Sequence, residues 1–203
     1  MAKNFDLTSN ASFIVYRIET LTKMKTSKKM ISNYIELEKK TGGFPTELEF
    51  VTCFYDEGTG SSGSLFKNTK LGNYILAYTG TNYYFDREKD LYADVVGVCL
   101  GQGEHYSPCY RFYKRMVKRY GDNIILTGHS LGGNIAMRVA LEYNVRETIV
   151  YNAAPLYLKG GVDIFMTADM DEVLYAERIA RYNRKIKKIA KKKLEFTGSV
   201  KRI

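Results

Sequence analysis

One stretch of the chain combines residue types and spacing that could do covalent chemistry: Gly128–His129–Ser130–Leu131–Gly132–Gly133. It follows the apolar run Ile124–Ile125–Leu126 and precedes a segment rich in Ala, Met and Val, so it sits where a buried strand gives way to a helix. In that setting G-x-S-x-G describes a nucleophile elbow. The turn is too tight for a Cβ beside the serine, which accounts for the glycines. Its strain lifts the Ser130 hydroxyl over the helix N-terminus, whose unpaired N–H groups favour negative charge. The chemistry this serves is acyl transfer: the hydroxyl attacks a carbonyl, and the N–H of Leu131 takes up the charge that develops on its oxygen. A second donor must come from an earlier strand end, and Ala77–Tyr78–Thr79–Gly80–Thr81 is one.

The strand ending in Gly80–Thr81, the stretch Asp90–Leu91–Tyr92–Ala93–Asp94, a helix and then the elbow resemble, in that order, the class 3 lipase family of serine hydrolases. The resemblance covers roughly residues 73–155. It implies an α/β-hydrolase fold, hydrolysis of a carboxylic ester of a lipid or acyl substrate, and no cofactor. It places Thr81 in the oxyanion hole beside Leu131. Asp94 then matches an aspartate that braces the loop, with Leu91 where the family usually has tryptophan.

The serine needs a base, and the chain holds two histidines, His105 and His129. In this fold the chain order is serine, acid, histidine, and no histidine follows Ser130. His129 lies inside the elbow, where the side chain before the nucleophile points away from substrate, and reads as structural. His105, in the loop leading to Tyr106, is the remaining base candidate, set against the plainer reading of an exposed loop histidine. The related lipases carry a histidine near this point that is not their base. Asp169–Met170–Asp171–Glu172–Val173 resembles the family's D-x-V stretch and would make Asp171 the triad acid. Connection length argues against it. After the strand ending at Ala153–Ala154–Pro155 a helix must cross over before the next parallel strand. Residues 169–193 must supply that helix, which leaves 197–203 as the strand. In the family the acid lies just beyond that strand and the histidine later still. The expectation is a shortened form of a longer hydrolase. The rival is a hydrolase-fold module that keeps the elbow for binding or assembly. An acyltransferase or thioesterase built on the same elbow is a third reading.

The elements that must position these residues can be read from periodicity. Residues 6–40 are helical in pattern, with Thr8, Ser9 and Asn10 offering N-caps and 42–45 closing the segment. Strands are expected at 48–55, 73–79, 123–128 and 147–152, and helices at 107–120, 131–143 and 169–193. The stretch 57–64, rich in Gly and Ser, reads as an exposed loop; it lacks the ending of a phosphate-binding P-loop. Strand–helix alternation with continuously apolar strands argues a mostly parallel sheet covered on both faces. The whole is one α/β domain: a helical extension at 1–45, a hydrolase core at 46–155, and a basic crossover helix with a last strand at 156–203.

Composition bounds the rest. At 203 residues, 45% hydrophobic and 26% charged, the chain suits one domain with a sizeable core. The net charge of +9 is concentrated at one end: residues 178–202 hold eleven Lys and Arg against Glu195, leaving the rest at −1. A neutral body argues against dedicated nucleic-acid binding. The basic segment carries an apolar stripe from Ile179 through Tyr182, Ile186 and Ile189 to Leu194. It reads either as a helix lying on anionic lipid or as a crossover helix packing its stripe inward with solvated cations. Neither the histidines nor Cys53, Cys99 and Cys109 have metal-ligand spacing. Three free thiols and an N-terminus without an apolar signal segment suggest the cytoplasm. An edge strand ending at Ile203 could pair with a second copy, so a homodimer is a modest expectation.

Overall fold

The computed structural model describes residues 3–80, 106–157 and 172–203. Their elements are α1 (Lys3–Lys23), α2 (Lys28–Lys40), β1 (Leu48–Tyr55), β2 (Ser62–Asn68), β3 (Tyr74–Tyr78), α3 (Tyr106–Tyr120), β4 (Ile124–His129), α4 (Leu131–Tyr143), β5 (Glu147–Tyr151), α5 (Glu172–Glu195) and β6 (Ser199–Arg202). The six strands form one sheet in chain order. β1, β2 and β3 pair antiparallel, and β3 through β6 pair parallel. Fold class and crossover therefore stand as the sequence implies: an α/β-hydrolase-type sheet in which α5 links β5 to a parallel β6.

Alternation along the strands assigns the two faces. Ile75, Ala77, Ile125 and Phe66 point to one core, filled by Leu7, Ala11, Ile14, Val15 and Ile18 of α1 and Ile31 and Ile35 of α2. Leu76, Tyr78, Leu126 and Leu65 point to the other, filled by Cys109, Phe112 and Met116 of α3 and Ile135, Ala136 and Val139 of α4. Burying both faces is what requires strands this apolar. α1 lies in the part read as an extension, and its buried residues share one core cluster with the strands.

Three local expectations change. The helical pattern over 6–40 is two helices, because Lys25 adopts φ 56° and Ser27 caps α2, its hydroxyl accepting the Met30 amide at 3.3 Å. Thr8, Ser9 and Asn10 are not caps: α1 begins at Lys3, and buried Thr8 shares a 2.8 Å hydrogen bond with the Tyr151 hydroxyl on β5. The stretch 57–64 is exposed only in part, since β2 begins at Ser62, inside the sheet between β1 and β3, with Ser61, Ser62 and Ser64 buried. Small polar residues hide this strand from hydropathy. The hydroxyl of Ser62 is satisfied there by that of Thr79 at 2.6 Å.

The stripe on α5 is buried at Tyr182 and Ile189 and emerges at Leu194, which is 89% exposed. The helix packs on α4, where Lys192 pairs with Glu142. No helix among the described residues is long and apolar enough to cross a membrane.

Candidate active site

β3 and β4 run parallel with Tyr78 level with Gly128, so both strands end at the same edge of the sheet. Ligands in such sheets bind outside the carboxyl ends of the strands, and Ser130 follows the end of β4. Its backbone stands at φ 54°, ψ −123°, a conformation that L-residues adopt only when the surroundings enforce it. Here three hydrogen bonds do so. The Ser130 amide donates to the Tyr151 carbonyl at 3.1 Å, and the Ser130 carbonyl accepts from Asn134 at 3.2 Å and Ala154 at 3.0 Å. Ser130 thus caps α4 with its backbone, and its side chain makes no capping bond.

The glycines have two distinct causes. A Cβ on Gly128 would lie 2.8 Å from the Gly133 amide, within the turn itself. On Gly132 it would lie 2.8 Å from the carbonyl carbon of Thr79 and 2.9 Å from the nitrogen of Gly80. Gly132 therefore admits the end of β3 against the first turn of α4. That contact brings the chain after β3 against the residues that follow Ser130. The sequence argument attributed both glycines to the turn; Gly132 answers instead to the neighbouring strand.

Of the sequence candidates, Ser130 and Leu131 are thus held at the elbow. Thr81, His105 and Asp171 lie outside the described residues, as does Asp94. His129 is engaged on the α1 side of the sheet. Its ring stacks on Phe13 at 5.9 Å between centroids, and its Nδ1 lies 3.4 Å from the Tyr16 hydroxyl. Its reading as a structural residue agrees with these contacts. Tyr16, which sequence reasoning did not single out, reaches the elbow from α1. Its hydroxyl accepts the Gly80 amide at 3.2 Å and lies 3.4 Å from the His129 carbonyl. No local signal marked it, because it acts across the sheet from a separate helix.

On the opposite flank the loop after β5 is tied to α4. The Tyr106 hydroxyl lies 2.8 Å from Asn134 Oδ1, and the Asn134 amide group donates to the Pro155 carbonyl. Arg138 donates to the Leu156 carbonyl at 2.7 Å. The start of α3 thereby sits one turn along α4 from Ser130. Among the described residues no group of His, Cys, Asp and Glu has the arrangement of a metal site. Burial raises the Cys109 thiol well above its ordinary pKa and raises that of Cys53 too, so neither is a ready thiolate.

Residues 46–161, more than half of the chain, match the phospholipase-like family described as the Tle-like phospholipase domain. The chain belongs to this family. It is also 30% identical over 105 residues to the extracellular phospholipase A1 of Serratia liquefaciens, covering 49% of this chain and 29% of that protein. Among solved structures it is similar to a lipase from Rhizopus microsporus var. chinensis (16% identity, TM-score 0.48, 74% of this chain and 57% of that one). It is similar too to lipase II from Rhizopus niveus (14% identity, TM-score 0.45, 74% and 62%). The chain therefore spans under a third of that phospholipase and about three-fifths of these lipases. The matched segment of this phospholipase-like chain contains the sheet from β1 to β5 and the whole elbow, whereas α1, with Tyr16, lies before it.

Proposed function

We propose that the protein hydrolyses a carboxylic ester of a phospholipid through an acyl-enzyme on Ser130. One observation carries this: the strained Ser130 at the junction of β4 and α4, its hydroxyl free of capping bonds. Ser130 Oγ attacks the ester carbonyl, and the tetrahedral oxyanion is received by the Leu131 N–H and by Thr81. The alcohol leaves with a proton, and water then releases the acid. The first amides of α4 have no partner within the helix, so charge at this point is favoured. The basic outer face of α5 adds attraction for an anionic lipid surface.

Within these residues the base falls to His105, because His129 is occupied by Phe13 and Tyr16. His105 precedes Tyr106, whose hydroxyl bonds Asn134 one turn beyond the nucleophile. The test is intact-mass labelling with a fluorophosphonate, comparing the chain with Ser130→Ala and His105→Gln. Labelling lost in Ser130→Ala supports the nucleophile, and its further loss in His105→Gln supports that base. A second reading, an elbow kept for binding without turnover, is favoured by the engagement of His129 away from Ser130. A folded chain that takes up no label would favour it over hydrolysis.

A further inference from the structure

A pocket of about 240 Å³ lies between α3, α4 and α5, on the opposite side of the sheet from α1. Its wall carries four cations, Arg138, Lys185, Lys188 and Lys192, and one carboxylate, Glu142. The carboxylate is already engaged, because Lys192 pairs with it. Arg138, Lys185 and Lys188 therefore face the pocket with no acidic partner among the described residues.

Arg138 is fixed in place. One terminal nitrogen donates to the Leu156 carbonyl, and the guanidinium lies 4.9 Å over the Tyr106 ring. Its Nε is buried and has no acceptor. A buried N–H without a partner costs about 1–3 kcal/mol, more on a charged group, and such a group in a native fold calls for an explanation. Nearby, burial and the charges of Arg138 and Arg181 lower the pKa of the Lys185 amine. Tyr110 also lines the pocket. Burial raises its pKa, so it remains a hydrogen-bond donor. A fixed guanidinium, two ammonium groups and a phenol make a donor set in which the one carboxylate, Glu142, is already held by Lys192. Its complement is a compact oxyanion.

We propose that this pocket is an anion site for a phosphate group, received by Arg138, Lys185, Lys188 and the Tyr110 hydroxyl. The phosphate can arrive as the headgroup of a membrane lipid or on a soluble phosphate ester. Arg138 lies eight residues beyond Ser130 on α4, about 12 Å along the helix, so the site is separate from the reacting ester. The proposal does not depend on turnover at Ser130.

The experiment uses the full chain carrying Ser130→Ala, so that hydrolysis plays no part. Thermal midpoints are measured with inorganic phosphate against sodium chloride of equal ionic strength. Co-sedimentation is measured with phosphatidylcholine vesicles with and without phosphatidic acid. Lys185→Glu places a carboxylate in the pocket, and Lys187→Glu makes the same charge change on the exposed face of α5. A phosphate-specific rise in midpoint, lost in Lys185→Glu and kept in Lys187→Glu, supports the site with a soluble source. Vesicle binding weakened about tenfold more by Lys185→Glu than by Lys187→Glu, without a phosphate shift, supports it with a lipid source. Equal effects of the two variants, or no response to either probe, overturn it. The unaltered chain serves the separate labelling test, so a failure here leaves the hydrolase reading standing, and the reverse.

Discussion

The Tyr16 hydroxyl sits 3.2 Å from the amide nitrogen of Gly80, and the two residues lie on different elements that meet at the elbow. Tyr16 belongs to α1, and Gly80 lies two residues past the end of β3. The same hydroxyl lies 3.4 Å from the carbonyl of His129, the residue before the nucleophile. A single phenol therefore ties the chain after β3 to the residue before Ser130. Under the mechanism proposed above, that tie makes Tyr16 a positioning residue.

Tyr16→Phe keeps the ring packing and removes that tie. One hydrogen bond worth about 1 kcal/mol corresponds to a roughly fivefold to tenfold slower acylation of Ser130. Because the change falls on transition-state geometry, kcat should drop with little change in KM. Stopped-flow labelling and steady-state kinetics with a soluble ester read this directly. A lower thermal midpoint with an unchanged acylation rate would reduce Tyr16 to a packing residue.

Gly132→Ala tests the close approach of β3 to α4. The added methyl would meet the backbone of Thr79 and Gly80, which cannot swing aside as a flexible side chain can. Overpacking of this kind costs about 1–3 kcal/mol or more. The expected outcome is a clear loss of stability in urea. Labelling of the molecules that remain folded should also slow, since the chain after β3 is pushed away from Leu131. Gly132→Ala with wild-type stability and reactivity would show that the elbow does not need this contact.

Ile18→Ala asks whether α1 is an appendage or part of the core. Ile18 is fully buried in the cluster that α1 and α2 form with Phe66, Ile75 and Ile125. Removing its side chain should cost about 2–5 kcal/mol, read as a lower urea midpoint with an unchanged slope. A cost under about 0.5 kcal/mol, the level of a surface site, would mean that α1 packs loosely and that the sheet is stable without it.

Much of this architecture was legible because it follows from local rules. The elbow declares itself through Gly128, Ser130 and Gly132 between an apolar strand and a helix. The crossover from β5 to β6 followed from connection length alone. β2 escaped because Ser62, Gly63 and Ser64 carry no hydrophobic signal; their place in the sheet is decided by β1 and β3 on either side. The break between α1 and α2 escaped because it rests on one backbone angle at Lys25 and a cap at Ser27 within an unbroken helical periodicity. Tyr16 escaped for a different reason, since its partners Gly80 and His129 are 64 and 113 residues away. The contacts of His129 with Phe13 and Tyr16 fit the direction that the geometry of an elbow dictates for the preceding side chain.

Lys185 gives a prediction in which pH supplies the control. Its amine has a folded pKa below the ordinary 10.5, first through burial and then through Arg138 and Arg181. Between the folded and unfolded values the unfolded chain binds more protons, so stability rises with pH across that interval. Below the folded value the cost of the charge is present in full. Lys185→Met removes the charge and keeps the hydrocarbon stem, so at pH 7 and low salt its thermal midpoint should exceed that of the wild type. The group is only half-buried, so solvent screening keeps the gain small. It should shrink as pH approaches 10.5, where the wild-type amine loses its proton in both states. It should also shrink in high salt, and when phosphate occupies the pocket beside it. A variant less stable than the wild type at pH 7 in phosphate-free buffer would mean that packing of the lysine stem outweighs the repulsion it suffers.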